Sequence, residues 1–252
     1  MGLNLLRPLL NFYILTIFSK IIGMSNIVYE QYDRFLLAID CIIFGFDGSQ
    51  LKALFIKRGF DPEKGEWSLM GGFVNKNESV DEAAARILTE LTGLTNVYME
   101  QLHCYGEVNR DPAGRVISIA YFALINIEDY SEGLLSEYNA QWFTLKRMPT
   151  LIFDHKRMVK EAKERLQHKV ANHPIGFALL PTKFTLQQLQ SLYEAIYGTT
   201  FDKRNFTKKI ISLAILQKLN EKEKASSRKG AFYYVFDEKK YKQLDNEGLK
   251  FI

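Results

Sequence analysis

Cysteine is nearly absent. Cys41 and Cys104 are the only two in 252 residues, and they form no C-x-x-C pair. A disulfide framework is excluded on that count. Both lie in apolar, strand-like runs, so two buried free thiols in a reducing, cytoplasmic compartment are expected. Linkers are lacking as well, since no Gly/Ser or Pro tract and no internal repeat interrupts the chain. A membrane span is also missing. The most apolar stretch, Gly2 to Gly23 (GLNLLRPLLNFYILTIFSKIIG), is broken by Arg7, Pro8, Asn11 and Lys20. Its uninterrupted part is too short to cross a bilayer. No small-x-small cleavage site marks a signal peptide. Met24 follows at once, and the globular pattern begins after it. Residues 1–23 are therefore read as a start assigned too early, with Met24 the true start, or as a disordered extension. A membrane anchor is the alternative.

What is present describes a globular chain, 47% apolar and 25% charged. The net charge of +4 is unevenly spread. From Ile175 to Ile252 there are 14 Lys and Arg against 8 Asp and Glu, a net of +6. The remainder carries 19 against 21, a net of −2. A basic final third on a nearly neutral body points to a polyanionic partner for that third. A solvated surface with a lysine excess is the plain alternative.

Leu36 to Phe46 (LLAIDCIIFGF) is the almost continuous apolar run of a central strand. Asp47-Gly48 turns the chain, and Leu51 to Ile56 returns as its hairpin partner. Ser79 with Glu82 forms a capping box, and Ala83, Ala84, Ile87, Leu88 and Leu91 then recur at helical spacing up to Gly93. Strand-like runs follow at Val97–Tyr105, Val116–Ile125 and near Trp142. Asp154–Val170 is an amphipathic helix that closes a first domain, residues 24–172. Pro174 cannot continue it. The second domain, residues 173–252, starts there. Thr185–Tyr197 and Lys203–Leu213, the latter capped by Asp202, read as helices. Leu216–Leu219 and Ala231–Phe236 read as strands around a polar tip, Glu221–Gly230. Helix, turn, helix, strand, basic loop, strand is the order of a winged helix.

Gly72 to Leu94 (GFVNKNESVDEAAARILTELTGL) resembles the Nudix box, G-x5-E-x7-R-E-U-x-E-E-x-G-U with U apolar. Gly72, Glu78, Arg86, Leu88, Glu90, Gly93 and Leu94 match seven of its nine fixed positions in register. The resemblance implies a Nudix fold. Family members that hydrolyse nucleoside diphosphates take metal ligands from the Glu after the Arg and from the paired Glu residues. Those positions are Ile87, Glu90 and Leu91 here. A cation bridging a pyrophosphate needs several hard oxygen ligands. No metal, no cofactor and no catalytic residue are expected, and Arg86 and Glu90 are left to pair along the helix. A pyrophosphatase with rearranged ligands is the enzyme alternative. A Nudix-like cleft without hydrolysis can still sense a ligand, and Arg58, Trp67, Glu107, Asp111, Asp154 and His155 are its candidates. Each also has a plain role open to it: Trp67 in the core, Asp111 in a turn, Asp154 as an N-cap, His155 on the surface.

In the second basic helix Phe206, Ile210 and Leu213 must face inward. That leaves Arg204, Asn205, Thr207, Lys208 and Ile211 outward, with Lys203 and Lys209 at the edges. Arg and Asn can bond purine edges bidentately, and Lys pairs with phosphate. Lys222, Lys224, Ser226, Ser227, Arg228 and Lys229 would form a basic wing.

The segments FTLQQLQSLYEAIYG and DKRNF, following a Nudix-like domain, resemble the Nudix-related transcriptional regulators. The resemblance covers almost all of the chain from Tyr32 onward. It implies an α+β chain, a Nudix-like α/β/α sandwich followed by a winged helix-turn-helix domain. It also implies a homodimeric repressor on a double-stranded DNA operator. One branch of that family senses ADP-ribose and controls nicotinamide cofactor metabolism. Another senses sugars, notably L-arabinose. DCIIFGF, GEWSLMGGFV, NVYMEQ, RVISIAYFALINI and LIFDH resemble the arabinose-responsive branch, which makes a pentose the first expectation for the effector. ADP-ribose is the alternative, with Arg58 and Arg115 as cationic partners for its two phosphates.

Overall fold

A computed structural model describes residues 31–129, 139–224 and 230–246. The continuous burial of β1 (Leu36–Phe46) from Ile39 onward sets the architecture. Ile39, Cys41 and Ile43 face one side, and Ile42, Phe44 and Phe46 the other, all buried. A strand buried on both faces must lie at the centre of a covered sheet. β1 does so. The sheet order is β3 (Trp67–Ser68), β2 (Leu51–Lys57), β1, β6 (Val116–Asn126), β5 (Tyr98–Tyr105). β4 (Met70–Phe73) pairs with the first half of β1, and β7 (Ala140–Thr144) pairs with β2.

One helix covers each face. α1 (Val80–Thr92) packs Ala83, Ala84, Ile87 and Leu88 against Ile39, Cys41, Ile43 and Tyr121. Its capping box of Ser79 and Glu82 is formed, and Gly93 ends it at φ 69°. α2 (His155–Asn172) packs Met158, Val159, Ala162 and Leu166 against Ile42, Phe44, Phe55 and Phe122. Each Leu, Ile, Val, Phe or Met among these side chains stabilises the sandwich by roughly 1.5–3 kcal/mol. The expected thiols divide. Cys41 is buried, and burial with nearby Asp40 pushes its pKa up to about 12. Cys104 is exposed, contrary to expectation. The β5–β6 register shifts between Gln101 and His103, so strict alternation is lost and His103 and Cys104 both face out.

After α2 the chain enters a 3-10 segment, Pro174–Leu179. α3 (Leu186–Tyr197) begins with a capping box of Thr185 and Gln188 and ends at Gly198, φ 71°. In α4 (Lys203–Ser212) the Asp202 carboxylate accepts the Asn205 N–H at 2.8 Å. β8 (Phe184–Thr185), β10 (Ala231–Phe236) and β9 (Leu216–Glu223) form a three-stranded sheet in that order. β9 runs to Glu223, past the Leu219 expected from hydrophobicity, because backbone pairing with β10 continues where the side chains turn polar. A last helix, α5 (Glu238–Asn246), was not signalled by apolar periodicity.

Helix α2 is joined to α3 by side chain to backbone bonds. Gln167 Nε2 donates to the Ile196 carbonyl at 2.8 Å, and the Tyr197 hydroxyl donates to the Gln167 carbonyl at 3.0 Å. The core is continuous across this joint, from Ile42 and Phe44 through Leu166 and Val170 to Leu189, Tyr193, Phe206 and Ile215. Among the described residues no helix is long and apolar enough to cross a membrane.

Candidate functional site

The outward surface of α4 is the first candidate. Phe206 and Ile210 are buried and hold the helix on the core. Lys203, Arg204, Asn205, Lys208, Lys209 and Ile211 are exposed, and Thr207 is half-buried. Among the described residues none of the four cations has a carboxylate within salt-bridge distance, unlike Arg157 with Glu107 and Lys183 with Glu221. Like charges along one short helix repel, and an anionic partner relieves that repulsion. Asn205 keeps its side chain for contacts, since only its backbone N–H is used by the cap. On the wing, Lys222 and Lys224 are exposed. Ser226, Ser227, Arg228 and Lys229 lie outside the described residues.

The second candidate is a cavity of about 80 Å³ over the β1–β4 edge of the sandwich. Of the six candidate ligand residues, Arg58, Asp111 and His155 line it. The other three are spent elsewhere. Trp67 packs edge-on against Phe143 at 4.9 Å, under the Lys57 ammonium. Glu107 is an exposed partner of Arg157 at 2.9 Å. Asp154 stands at the N-cap of α2, but its carboxylate caps nothing. It grips Arg110 instead, at 2.8 and 3.2 Å.

Sequence periodicity missed the groups at the floor. Asp40, Arg110, Ser68, Phe60 and Phe153 all line this cavity. Asp40 lies in an apolar run and passed for a strand residue, and Arg110 for a turn residue. Ser118 Oγ donates to Asp40 Oδ2 at 2.6 Å, and Arg110 Nη2 lies 3.6 Å from that oxygen. The Leu69 N–H donates to His155 Nδ1 at 3.1 Å, which places the imidazole proton on Nε2, 3.6 Å from Asp40 Oδ1. Burial lowers the His155 pKa against the pull of Asp40 and Asp154, so the ring is neutral. Gly71 forms part of the wall because a Cβ there would meet the Ile39 carbonyl at 2.6 Å and Asp40 Oδ1 at 2.8 Å. Phe153 holds φ 49°, a costly conformation for an aromatic residue and one that clusters at ligand sites. Its ring meets His155 edge-on at 5.6 Å.

Arg58 stands at the mouth. Its guanidinium lies 4.0 Å from the Phe60 ring and 5.4 Å from the Phe153 ring. Nε donates to the Phe60 carbonyl at 3.1 Å. Its two terminal nitrogens bond to nothing among the described residues. Arg115 is committed differently, donating to the Gly106 and Glu107 carbonyls at 2.8 and 3.1 Å.

Helix α1 carries the Nudix-like segment. Arg86 donates to Glu78 through Nη2 at 2.6 Å and Nε at 2.9 Å, to Glu90 at 3.2 Å and to the Phe73 carbonyl at 3.1 Å. Hydrogen bonding to Arg86 lowers the Glu78 pKa to about 2. Ile87 is 2% exposed and packs beneath Gly72, and Leu91 packs on the same cluster. Glu78 and Glu90 are thus both engaged by one guanidinium, and Ile87 and Leu91 are apolar. This set does not fit a bound divalent cation. Among the described residues no group of three His, Cys, Asp or Glu side chains is arranged to hold a metal.

A wider hollow of about 1070 Å³ lies between Tyr98, Asn126, Lys169, Phe177, Phe236 and Tyr241. Its polar groups satisfy each other: His173 Nδ1 is 3.2 Å from the Tyr241 hydroxyl, and Asn126 Oδ1 accepts the Glu128 N–H. The charged 80 Å³ cavity is the better candidate.

Comparison with known proteins agrees with this division. Residues 34–164 match the NUDIX domain family, and residues 176–236 match the NrtR DNA-binding winged helix domain. The ADPR responsive transcriptional repressor NtrR of Acinetobacter baylyi is 33% identical over 208 residues, 81% of this chain and 83% of that protein. The ADP-ribose pyrophosphatase of Methanocaldococcus jannaschii is 36% identical over 133 residues, 53% of this chain and 76% of that protein. The crystal structure of Shewanella oneidensis NrtR complexed with a 27mer DNA superposes with a TM-score of 0.73 at 29% identity. It covers 79% of this chain and 93% of that one. The chain therefore belongs to the family of Nudix-domain transcriptional repressors that carry an NrtR-type DNA-binding winged helix.

Proposed function

We propose that this chain represses transcription by binding duplex DNA through α4 and the wing, and that ADP-ribose in the Nudix cleft controls that binding. The observation that carries the DNA reading is the row of exposed cations on α4, Lys203, Arg204, Lys208 and Lys209, none of them paired with a carboxylate among the described residues. The similarity to the A. baylyi repressor and to the DNA-bound S. oneidensis structure supports it.

The effector assignment rests on Arg58. A neutral pentose needs hydrogen bonds and an apolar face, but not an arginine held between two aromatic rings with its outer nitrogens unused. A diphosphate does need one. The cavity is smaller than a whole dinucleotide-sized ligand requires. One ribose end would enter it, and the diphosphate would lie across its mouth at Arg58. The A. baylyi relative is described as ADPR-responsive, and the M. jannaschii relative acts on ADP-ribose. L-Arabinose, the first expectation from sequence, has no such support. Trp67, its intended stacking face, is occupied by Phe143.

Hydrolysis is not part of the proposal. Ile87 and Leu91 replace the carboxylates that a cation would need, and Arg86 holds Glu78 and Glu90. The protein works in the cytoplasm as a homodimer on a palindromic operator, one winged helix per half-site. By linkage, ADP-ribose and DNA alter each other's affinity by the same factor.

Fluorescence anisotropy on DNA flanking the protein's own gene tests this reading. Titration with ADP-ribose should change DNA affinity, and L-arabinose should leave it unchanged. A response to arabinose alone would restore the pentose reading. Absence of DNA binding at low salt would overturn the repressor reading.

A further inference from the structure

The wing carries a second cationic device, in which Lys218 joins Lys222 on β9 beside Phe232 of β10. In the β9–β10 ribbon, Leu216 pairs with Phe236, Lys218 with Tyr234, and Lys222 with Phe232. The register shifts between Phe232 and Tyr234, and across that irregularity both lysines still reach the Phe232 ring. At its base Leu216, Tyr234 and Phe236 pack on the core. Towards the tip no core remains, and an aromatic ring is still present. Phe232 is flanked there by two lysines from the opposite strand. Lys218 Nζ lies 3.6 Å from the ring centroid and Lys222 Nζ lies 4.5 Å from it.

The arrangement brings two ammonium groups onto one ring, within about 8 Å of each other when the two distances are laid end to end. Lys218 has no carboxylate partner among the described residues. Each ammonium is held by the negative face of the ring, which restricts a side chain otherwise free to rotate. Lys222 is further confined by the return of the chain, since its Cβ lies 3.2 Å from where a Cβ of Gly230 would stand. Gly230 itself has φ +67°, which lets β10 start close against β9. Two positioned, exposed cations on the flank of a DNA-binding module match the regular row of phosphates along one strand.

We propose that Lys218, Lys222 and Phe232 form a phosphate clamp, in which the Phe232 ring orients both ammonium groups for the backbone of bound DNA. The clamp rests on the DNA-binding reading above. It reads no bases and contributes affinity on any duplex. Phe232 is a positioning residue, and the two lysines make the contact.

The test uses the full chain and a fluorescein-labelled DNA duplex of random sequence, with anisotropy measured across a series of salt concentrations. Lys218→Gln and Lys222→Gln should each reduce the slope of log K against log salt by about 0.9. Phe232→Leu keeps both charges. It should weaken binding a few-fold at fixed salt, and Lys218→Gln should then cost less in the Leu background than in the wild type. Phe232→Tyr should restore binding. If the lysines merely cover an apolar ring, Phe232→Leu will lower the Tm and leave affinity and slope unchanged, and the clamp is overturned while Arg204→Ala still weakens binding. If the wild type binds no duplex at low salt, the DNA-binding reading fails first and the clamp falls with it.

Discussion

The Arg110 guanidinium lies between two carboxylates, bonded to both oxygens of Asp154 and 3.6 Å from Asp40, with only 3% of its side chain exposed. It ties the β5–β6 connection to the start of α2 at the floor of the 80 Å³ cavity. Removing one member of a buried pair leaves an uncompensated charge. Arg110→Ala should destabilise the protein by roughly 3–5 kcal/mol, read as a shift in the urea midpoint. An unchanged midpoint would mean that water already screens the two carboxylates.

His155 makes stability depend on pH. Burial lowers its folded pKa from 6.5, so the native state binds fewer protons than the unfolded chain below that point. The contribution is fully present above pH 6.5 and shrinks as the pH falls from 6.5 towards the folded value. His155→Gln keeps an acceptor for the Leu69 N–H and removes the titration. Melting temperatures at about pH 7.5 and about pH 5.5 should differ less in this variant than in the wild type. Equal differences would show that His155 does not carry the dependence.

The two surfaces of the protein should separate by mutation. Arg204→Ala should weaken operator binding by about 1–3 kcal/mol if its guanidinium reads a base. Lys208→Gln should weaken binding to every sequence and lower the salt slope by about 1. Neither should alter ADP-ribose binding in calorimetry. Arg58→Ala should do the reverse, abolishing the response to ADP-ribose while DNA affinity stays.

Incubation with ADP-ribose and Mg²⁺ should yield no AMP by chromatography. Ile87→Glu should not introduce hydrolysis, because the new carboxylate would enter the packed space under Gly72 while Arg86 still holds Glu78 and Glu90. It should instead cost roughly 2–4 kcal/mol of stability. Mg²⁺-dependent AMP release by the wild type would make the protein an enzyme.

Gly71→Ala places a methyl group against the Ile39 carbonyl and Asp40 Oδ1, contacts of 2.6 and 2.8 Å that the β1–β4 pairing cannot relax freely. The expected cost is about 1–3 kcal/mol, with weaker effector binding. A stable variant with normal binding would show that the wall yields.

The local elements were legible because their signals are local. Ser79 and Glu82, Thr185 and Gln188, and Asp202 announce helix starts, and Gly93 and Gly198 announce helix ends. The two-sided burial of β1 follows from its almost continuous apolar run. Inward and outward residues of α4 follow from spacing alone. The failures also have causes. Cys104 was assigned to the core because a bulge in β5 leaves no mark on composition. Trp67 was offered to a ligand because its contact with Phe143 joins residues distant in the chain. Asp40 was passed over because a carboxylate inside an apolar run acquires meaning only when Ser118, Arg110 and His155 converge on it.

The two-part plan, the basic outer face of α4 and the apolar residues Ile87 and Leu91 in the Nudix-like segment are written in the order of residues. Each depends on residue type and short-range spacing, which the covalent chain specifies directly. Folding settles which charges share a cavity, that Arg58 stands between Phe60 and Phe153, and that Lys218 and Lys222 meet over Phe232. Those relationships depend on strand pairing, register and packing between segments far apart in the chain, and short-range pattern does not encode them.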